Sequence, residues 1–262
     1  MSWFTPNCPV DSETKAWLDE SFGWLIDEFG IEVLRTVDVV LPTEQFFPND
    51  FDGSATSVRE LVVRICDYMD VDSDTIDLQL FENLDEFRIH PLASDGTSRS
   101  HAIGTYHRHA NGKCTVSLDM TRVKNPEAMV ATIAHELGHV ILLGEDRLDD
   151  DYPDHEPMTD LVTVFYGLGV FNANSSFVFE QWTNAQFQGW QASRTGYLSE
   201  EEFAYALALF AYLRGEHEPA WKSFLSTNIK SYFKSSLKYL LKTNDTPLAG
   251  MSGHQPRQSG LT

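Results

Sequence analysis

The amino-acid sequence predicts an α+β fold, with a small mixed sheet in the first half of the chain and only helices in the second. Two patterns carry this prediction. Segments with apolar side chains at every second position, the period of a half-buried strand, fall in the first 120 residues. After them, apolar side chains recur at the three-to-four-residue period of helices. With 262 residues, 42% of them hydrophobic, the chain can bury a substantial core.

The predicted elements of the first half alternate between helices and strands. An amphipathic helix covers residues 13–29 and ends at Gly30, and a second helix covers residues 56–69. Four segments are predicted to be strands: residues 36–42, 75–82, 102–109 and 113–119. The last two are separated by Ala110-Asn111-Gly112. Because Asn and Gly tolerate positive φ, we expect these two strands to form a hairpin.

Helices account for the second half of the sequence. The first begins with Asn125 as N-cap and Pro126 at the first helical position, and Gly144 is placed to end it. Further helices are predicted over residues 156–171, 199–214 and 219–241, with a looser segment over residues 172–190. We therefore expect an α/β lobe over residues 1–145, a helical lobe over residues 146–242 and a disordered tail over residues 243–262.

The charge of the chain argues against one class of partner. The sequence has 19 Lys and Arg against 39 Asp and Glu, which gives a formal net charge of −20 at pH 7. Binding to a phosphate backbone needs clustered Lys and Arg. The one mild basic run, residues 230–242, is interpreted as the polar face of a helix. We expect no nucleic-acid partner.

Cysteine content and apolar runs indicate the compartment. Three cysteines are too few for a disulfide framework, and no apolar run reaches the length of a membrane span. The first residues lack a basic start followed by an apolar run. We expect a cytoplasmic protein with no membrane partner, and these patterns leave its oligomeric state open.

One predicted helix carries residues of a known chemistry, in the segment His135-Glu136-x-x-His139. Residues four apart lie on the same helical face, so His135 and His139 can aim a ring nitrogen at one metal ion. Glu136 can then reach a water held by that ion and serve as general base and acid. The pattern predicts one Zn²⁺ per chain with Glu136 as the catalytic residue.

A catalytic zinc ion needs a third protein ligand, and four residues are candidates: Glu145, His155, Glu156 and Asp160. Glu145 has the spacing of the extended pattern HExxHxxGxxH, but that pattern requires glycine where this chain has Leu142. His155 lies in an acidic loop. Glu156 and Asp160 are one helical turn apart, so one can bind the metal while the other accepts the N–H of a ligating histidine.

At these residues the sequence resembles the gluzincin-type zinc metallopeptidases, whose pattern is HExxH followed by ExxxD on a second helix. The resemblance covers residues 125–171 and, by layout, residues 103–119. It implies a zincin-like fold with His135, His139 and Glu156 on zinc and Asp160 behind a zinc-bound histidine. The reversed assignment, with Asp160 as the ligand, is the alternative.

The same resemblance implies two further features. Gluzincins supply a Tyr or His that stabilises the oxyanion, and the candidates are Tyr152, Tyr166, Tyr197, Tyr205 and His217. In zincin folds an edge strand ahead of the active-site helix pairs with the substrate backbone.

Residues 102–109 have the position of such an edge strand, and within them we assign the substrate contact to Gly104, Thr105 and Tyr106. Gly104 would let another backbone come close. His107 and His109 alternate onto one face with Thr105, and they are expected to be exposed rather than metal-binding.

The predicted function is a zinc-dependent peptidase that cleaves a peptide or protein substrate with a zinc-bound water activated by Glu136. The alternative is a zinc-binding regulator or sensor with little or no general proteolytic activity. A purely structural zinc usually has four protein ligands, often cysteines, and no cysteine lies near this helix.

Overall fold

The structure is a computed structural model that describes residues 6–48, 50–82, 104–109, 113–149, 151–184 and 197–252, apart from the side chains of residues 122 and 177–184. These residues form a helix-rich α+β fold, in agreement with the predicted class. The eight α-helices among them are α1 (Ser12–Phe29), α2 (Ile31–Thr36), α3 (Ala55–Met69), α4 (Pro126–His139), α5 (His155–Phe165), α6 (Gly169–Asn184), α7 (Glu200–Leu213) and α8 (Thr227–Thr243). The strands are β1 (Ile76–Phe81), β2 (Gly104–Arg108) and β3 (Cys114–Asp119).

The sheet is mixed and has the order β1-β3-β2. β1 runs parallel to β3, and β2 runs antiparallel to it, with Gly104 opposite Leu118 and Arg108 opposite Cys114. This antiparallel pairing confirms the predicted hairpin, although its turn lies outside the described residues. β3 is the buried central strand, and β2 forms one edge of the sheet that the described residues build.

Helix α4 begins as its sequence predicts. The Asn125 side chain accepts a hydrogen bond from the Ala128 backbone N–H at 3.1 Å, and Pro126 occupies the first helical position. The helical segment ends at Gly144 as predicted, but its last five residues, Val140–Gly144, form a π-helical turn that follows the last α-helical residue. Such turns are frequent at functional sites.

The prediction of a strand over residues 36–42 is wrong. After Thr36 the chain has no regular secondary structure, and it contacts the connection between α5 and α6, where the Val40 N–H donates to the Gly167 carbonyl at 3.0 Å. Gly167 has φ +81°, and a Cβ there would collide with the Asp38 carbonyl. Apolar burial of Val40 therefore arises from packing on this connection and not from a sheet.

Gly167 also divides the helix that was predicted over residues 156–171. α5 ends at Phe165 and α6 begins at Gly169. Residues 172–184, part of the segment predicted to be less regular, are helical. Their small and aromatic residues do not show a clear helical period. We attribute the formation of this helix to its packing against the rest of the fold, since most helices in proteins are stabilised by tertiary contacts.

One hydrophobic core includes residues of both halves of the chain. α1 packs against the helical half, where Tyr205 donates to Asp19 at 3.0 Å and the Trp17 indole donates to Asp154 at 3.0 Å. In the segment predicted as a disordered tail, Pro247–Met251 form a 3₁₀ turn with Leu248 buried; residues 253–262 lie outside the described part. Among the described helices, none has the length and apolar character needed to cross a membrane.

Candidate metal centre

The site forms where α4 and the first turn of α5 approach each other closely. Gly138 makes this approach possible, because a Cβ at this position would lie 2.7 Å from Thr159 Cγ2 and 3.1 Å from the Thr159 carbonyl oxygen. The helix face that carries His135 and His139 therefore meets the start of α5, where Glu156 and Asp160 are found.

Three of the predicted ligands come together at this contact. His135 Nε2 lies 3.0 Å from Glu156 Oε2, and His139 Nε2 lies 3.5 Å from the same oxygen. Around a tetrahedral zinc with bonds of about 2.0–2.1 Å, neighbouring ligand atoms are about 3.3 Å apart. Both imidazoles are buried, and among the described residues these three form the one group of three or more His, Cys, Asp or Glu side chains close enough to hold a metal ion.

The other ring nitrogen of each histidine has a buried partner. His135 Nδ1 lies 2.9 Å from Asp160 Oδ1, and the second oxygen of Asp160 accepts the Leu198 backbone N–H at 2.9 Å. The Thr159 hydroxyl donates to the His155 carbonyl at 2.7 Å, so its oxygen accepts from His139 Nδ1 at 3.2 Å. These contacts hold the Nδ1 hydrogens and leave both Nε2 lone pairs for a metal.

The charges of the site favour a cation between the imidazoles. Burial opposes a positive charge on His135, but the hydrogen bonds and charges of Asp160 and Glu156 raise its pKa well above the usual value. Burial likewise opposes ionisation of Glu156, and the two histidines nevertheless hold its pKa well below the usual range. A metal ion would meet the same attraction that these acids exert on a proton.

Glu136 lies beside the three ligands and is buried. Burial raises the pKa of its carboxyl to about 8, with the charge of His135 opposing the rise and that of Glu156 adding to it. Glu136 therefore places a buried carboxyl one residue away from a candidate metal ligand.

The remaining ligand candidates are placed differently. Glu145 is exposed and pairs with Arg147 at 2.9 Å. His155 is half-buried at the edge of the site, with its Nδ1 3.8 Å from Glu156 Oε1. Both oxygens of Asp160 are engaged by His135 and Leu198, which supports its position behind a ligand.

Two tyrosine rings contact the histidines. Tyr106 of β2 stacks on His139 with ring centroids 5.8 Å apart, and Tyr197 lies against His135 with centroids 4.9 Å apart. Of the five oxyanion candidates, Tyr197 is thus the one beside the ligands. Tyr205 donates to Asp19, Tyr166 packs on Phe29, Tyr152 is half-buried in the loop before α5 and His217 is exposed.

The pairing of β2 with β3 shows which backbone groups face outward. His109 N–H donates to the Lys113 carbonyl at 2.9 Å, so alternate residues from His109 back to Thr105 form the hydrogen-bonded pairs with β3. The N–H and C=O groups of Gly104, Tyr106 and Arg108 consequently point away from β3. No described strand pairs with this edge.

Strand β2 is anchored to the end of the helical segment that carries the histidines. The Arg108 guanidinium donates to both carboxylate oxygens of Asp146 and, at 3.3 Å, to the Leu143 carbonyl. With Tyr106 on His139, these contacts fix the strand beside the three ligands.

Sequence patterns did not reveal two of the contacts that orient the histidines. Thr159 stands between Glu156 and Asp160 in the ExxxD segment, but its hydroxyl finds His139 only when α4 and α5 meet. The Leu198 contact uses a backbone N–H from 38 residues beyond Asp160, for which a sequence has no signal.

Fold and site together define an α+β protein with a His-His-Glu group, in which both imidazoles are buried, that can hold a metal ion. Comparison with known proteins found no family model, no curated protein and no solved structure that matches the chain. The functional assignment therefore depends on the chemistry of the residues themselves.

Proposed function

We propose that the protein is a zinc-dependent peptidase of the gluzincin type with a zincin-like fold. The observation that carries this proposal is the convergence of His135, His139 and Glu156, with Glu136 buried beside them. Two imidazoles and one carboxylate are a ligand set that catalytic zinc sites use, and they leave one coordination position open.

A zinc ion in this group would act as a Lewis acid towards a peptide carbonyl and would acidify a water molecule. The chain's own residues then carry out the proton transfers. Beside a cation the raised pKa of Glu136 would fall, so its carboxylate can accept a proton from the attacking water and donate it to the nitrogen of the leaving amine. Asp160 and Thr159 keep the Nε2 atoms of the two histidines available by holding the hydrogens on Nδ1.

Tyr197 is the residue to which we assign oxyanion stabilisation. Its ring lies against His135, and burial, reinforced by the charges of Glu156 and Glu136, raises its pKa well above the usual value. The phenol therefore stays protonated and can donate a hydrogen bond to a negative oxygen that develops on the substrate.

The proposed substrate is an extended peptide that runs alongside β2, an edge strand of the sheet that the described residues build. Gly104 and Tyr106 direct backbone N–H and C=O groups to this edge, while those of Thr105 are directed to β3. Gly104 carries no side chain that would hinder an approaching backbone. The contact of Tyr106 with His139 would place the bound peptide next to the ligands.

The test compares Glu136→Gln with the wild type in two assays, zinc content by elemental analysis and cleavage of a peptide library. With one equivalent of zinc added, which fills only the tightest site, we expect about one zinc per chain in both proteins, and a rate that falls by roughly 10²–10⁴-fold in the variant because the general base is lost. Glu127→Gln changes an exposed acid on the same helix and is the matched control. If both proteins bind zinc and no cleavage depends on Glu136, the protein is a zinc-binding regulator and not a peptidase.

A further inference from the structure

A second pair of histidines lies on the face of β2 that is opposite Tyr106. His107 and His109 are two residues apart on the strand, so their side chains share this face. Their ring centroids are 5.1 Å apart with an angle of 78° between the planes. The corresponding values for His135 and His139 are 4.9 Å and 89°. The strand thus brings two imidazoles together almost as the helix does.

His109 contacts a threonine hydroxyl, as His139 does in the first site. His109 Nε2 lies 2.6 Å from the hydroxyl oxygen of Thr115, which in turn donates to Asp77 Oδ2 at 3.5 Å. When the hydroxyl gives its own hydrogen to the carboxylate, it accepts the N–H of His109. This leaves the lone pair of His109 on Nδ1, just as Thr159 leaves the lone pair of His139 on Nε2.

The surroundings of this pair favour a cation. Asp77, Thr115 and His107 are directly opposite one another across β1, β3 and β2, so a carboxylate lies on the same face of the sheet. The net charge of −20 raises the local concentration of cations around the whole molecule. His107 and His109 are both half-buried, so solvent reaches the rings and water can complete a coordination shell.

We propose that His107 and His109 form a second binding site, for a divalent transition-metal ion such as Zn²⁺, on the outer face of β2. Imidazole suits zinc, copper and nickel, and Thr115 with Asp77 orients one of the two rings. The second site has two protein ligands where the first has three, so it binds more weakly and fills after the first. This proposal does not depend on the peptidase function, because it concerns binding alone.

Equilibrium dialysis of tag-free, metal-stripped protein against increasing Zn²⁺ in about 0.15 M salt tests the proposal. We expect about two ions per wild-type chain, in two steps of different affinity, and about one in His107→Ala/His109→Ala. In His135→Ala/His139→Ala we expect the tighter step to vanish and the weaker step to remain. His217→Ala removes an exposed histidine elsewhere and is expected to behave as the wild type.

Thr115→Val separates a built site from two histidines that merely lie close together. Valine has a similar size but cannot accept the His109 N–H, so we expect the weaker step to lose about tenfold or more in affinity while the tighter step is unchanged. Circular dichroism verifies folding; should Thr115→Val not fold, His107→Gln replaces it and is expected to abolish the weaker step. A wild type that stops at one ion overturns the proposal, as does a weaker step that persists in His107→Ala/His109→Ala. An unaltered weaker step in folded Thr115→Val equally contradicts the proposed site.

Discussion

Two histidine pairs, each within a single described element, reach nearly the same ring separation with different secondary structures. His135 and His139 are four residues apart on α4, with ring centroids 4.9 Å apart, and His107 and His109 are two residues apart on β2, with centroids 5.1 Å apart. Each spacing is the one that puts side chains on a common face in its element. The distance between two imidazole rings therefore does not by itself determine how tightly a pair would bind a metal ion.

What differs between the pairs is the set of groups around them. The helical pair is buried, has Glu156 within reach of both rings, and has a partner for each Nδ1 atom. The strand pair is half-buried, and one ring has an orienting partner in Thr115. Because it has a third candidate ligand and a partner for each ring, we expect the helical pair to be the tighter of the two proposed metal sites.

Removal of the proposed third ligand, Glu156, is expected to have the largest effect on the zinc affinity of the helical pair. In Glu156→Gln the helical pair loses its negatively charged neighbour and becomes more like the strand pair. Loss of a residue that only hydrogen-bonds to a ligand lowers metal affinity by up to roughly 100-fold, so we expect zinc affinity to fall by more than this. Glu145→Gln, which alters the exposed rival ligand, should leave zinc affinity unchanged. Competition with a zinc chelator measures both, and a loss confined to Glu145→Gln would reverse the assignment.

Changes behind the ligands are expected to have the next largest effect. An asparagine at position 160 can still accept the His135 N–H, but its NH₂ group would then face the Leu198 N–H. We expect Asp160→Asn to weaken zinc binding by roughly 10–100-fold, and Thr159→Val by about tenfold because a neutral hydroxyl is the weaker partner. The same chelator competition tests this order. Equal affinity of Asp160→Asn and the wild type would show that the partner of His135 is dispensable.

The smallest predicted effect concerns the contact between α4 and α5. In Gly138→Ala the new methyl group would lie 2.7 Å from Thr159 Cγ2. Overpacking of this kind costs about 1–3 kcal/mol, against a gain of about 1 kcal/mol in helix propensity, so we expect a net fall in the free energy of unfolding. Gly23→Ala in α1 has the same propensity gain but only a contact of 3.3 Å with the flexible Leu248 side chain.

Urea unfolding of the two alanine variants measures this difference. We expect the midpoint of Gly138→Ala to decrease and that of Gly23→Ala to stay or to increase. A higher midpoint for both variants would mean that the two helices can separate without loss, and that the site does not depend on their close approach.

The parts of the fold that local patterns encode were predictable. The Asn125 cap, the capping box of Ser199 and Glu202, and the pairing of β2 with β3 all depend on residues within about 15 positions of each other in the chain. The segment around Val40 was not predictable in this way. Its apolar pattern is that of a strand, but its hydrogen-bonding partner, Gly167, is far away in sequence.

The candidate site likewise has residues that local sequence patterns predict and residues that only the fold brings together. Helical spacing alone places His135 and His139 on one face and Glu156 and Asp160 on another, and it predicts the residue types that zinc requires. Spacing could not choose Tyr197 from five candidates, because the choice depends on which ring the fold brings to His135.

By itself, the sequence determined the α+β class and the placement of His135 and His139 on one helical face, because both follow from short-range periodicity. It left four candidates for the third ligand, among which the resemblance to gluzincins favoured Glu156, with Asp160 as the partner of a histidine. Only the tertiary structure decided that Glu156 lies close to both histidines. It also decided that Thr159 contacts the ring of His139 and that the Leu198 N–H contacts the partner of His135. The positions of Tyr106 and Tyr197 against the rings were likewise decided there. These contacts join residues that are distant in the chain, and the close packing of α4 on α5 at Gly138 is what brings the histidines and the acids together.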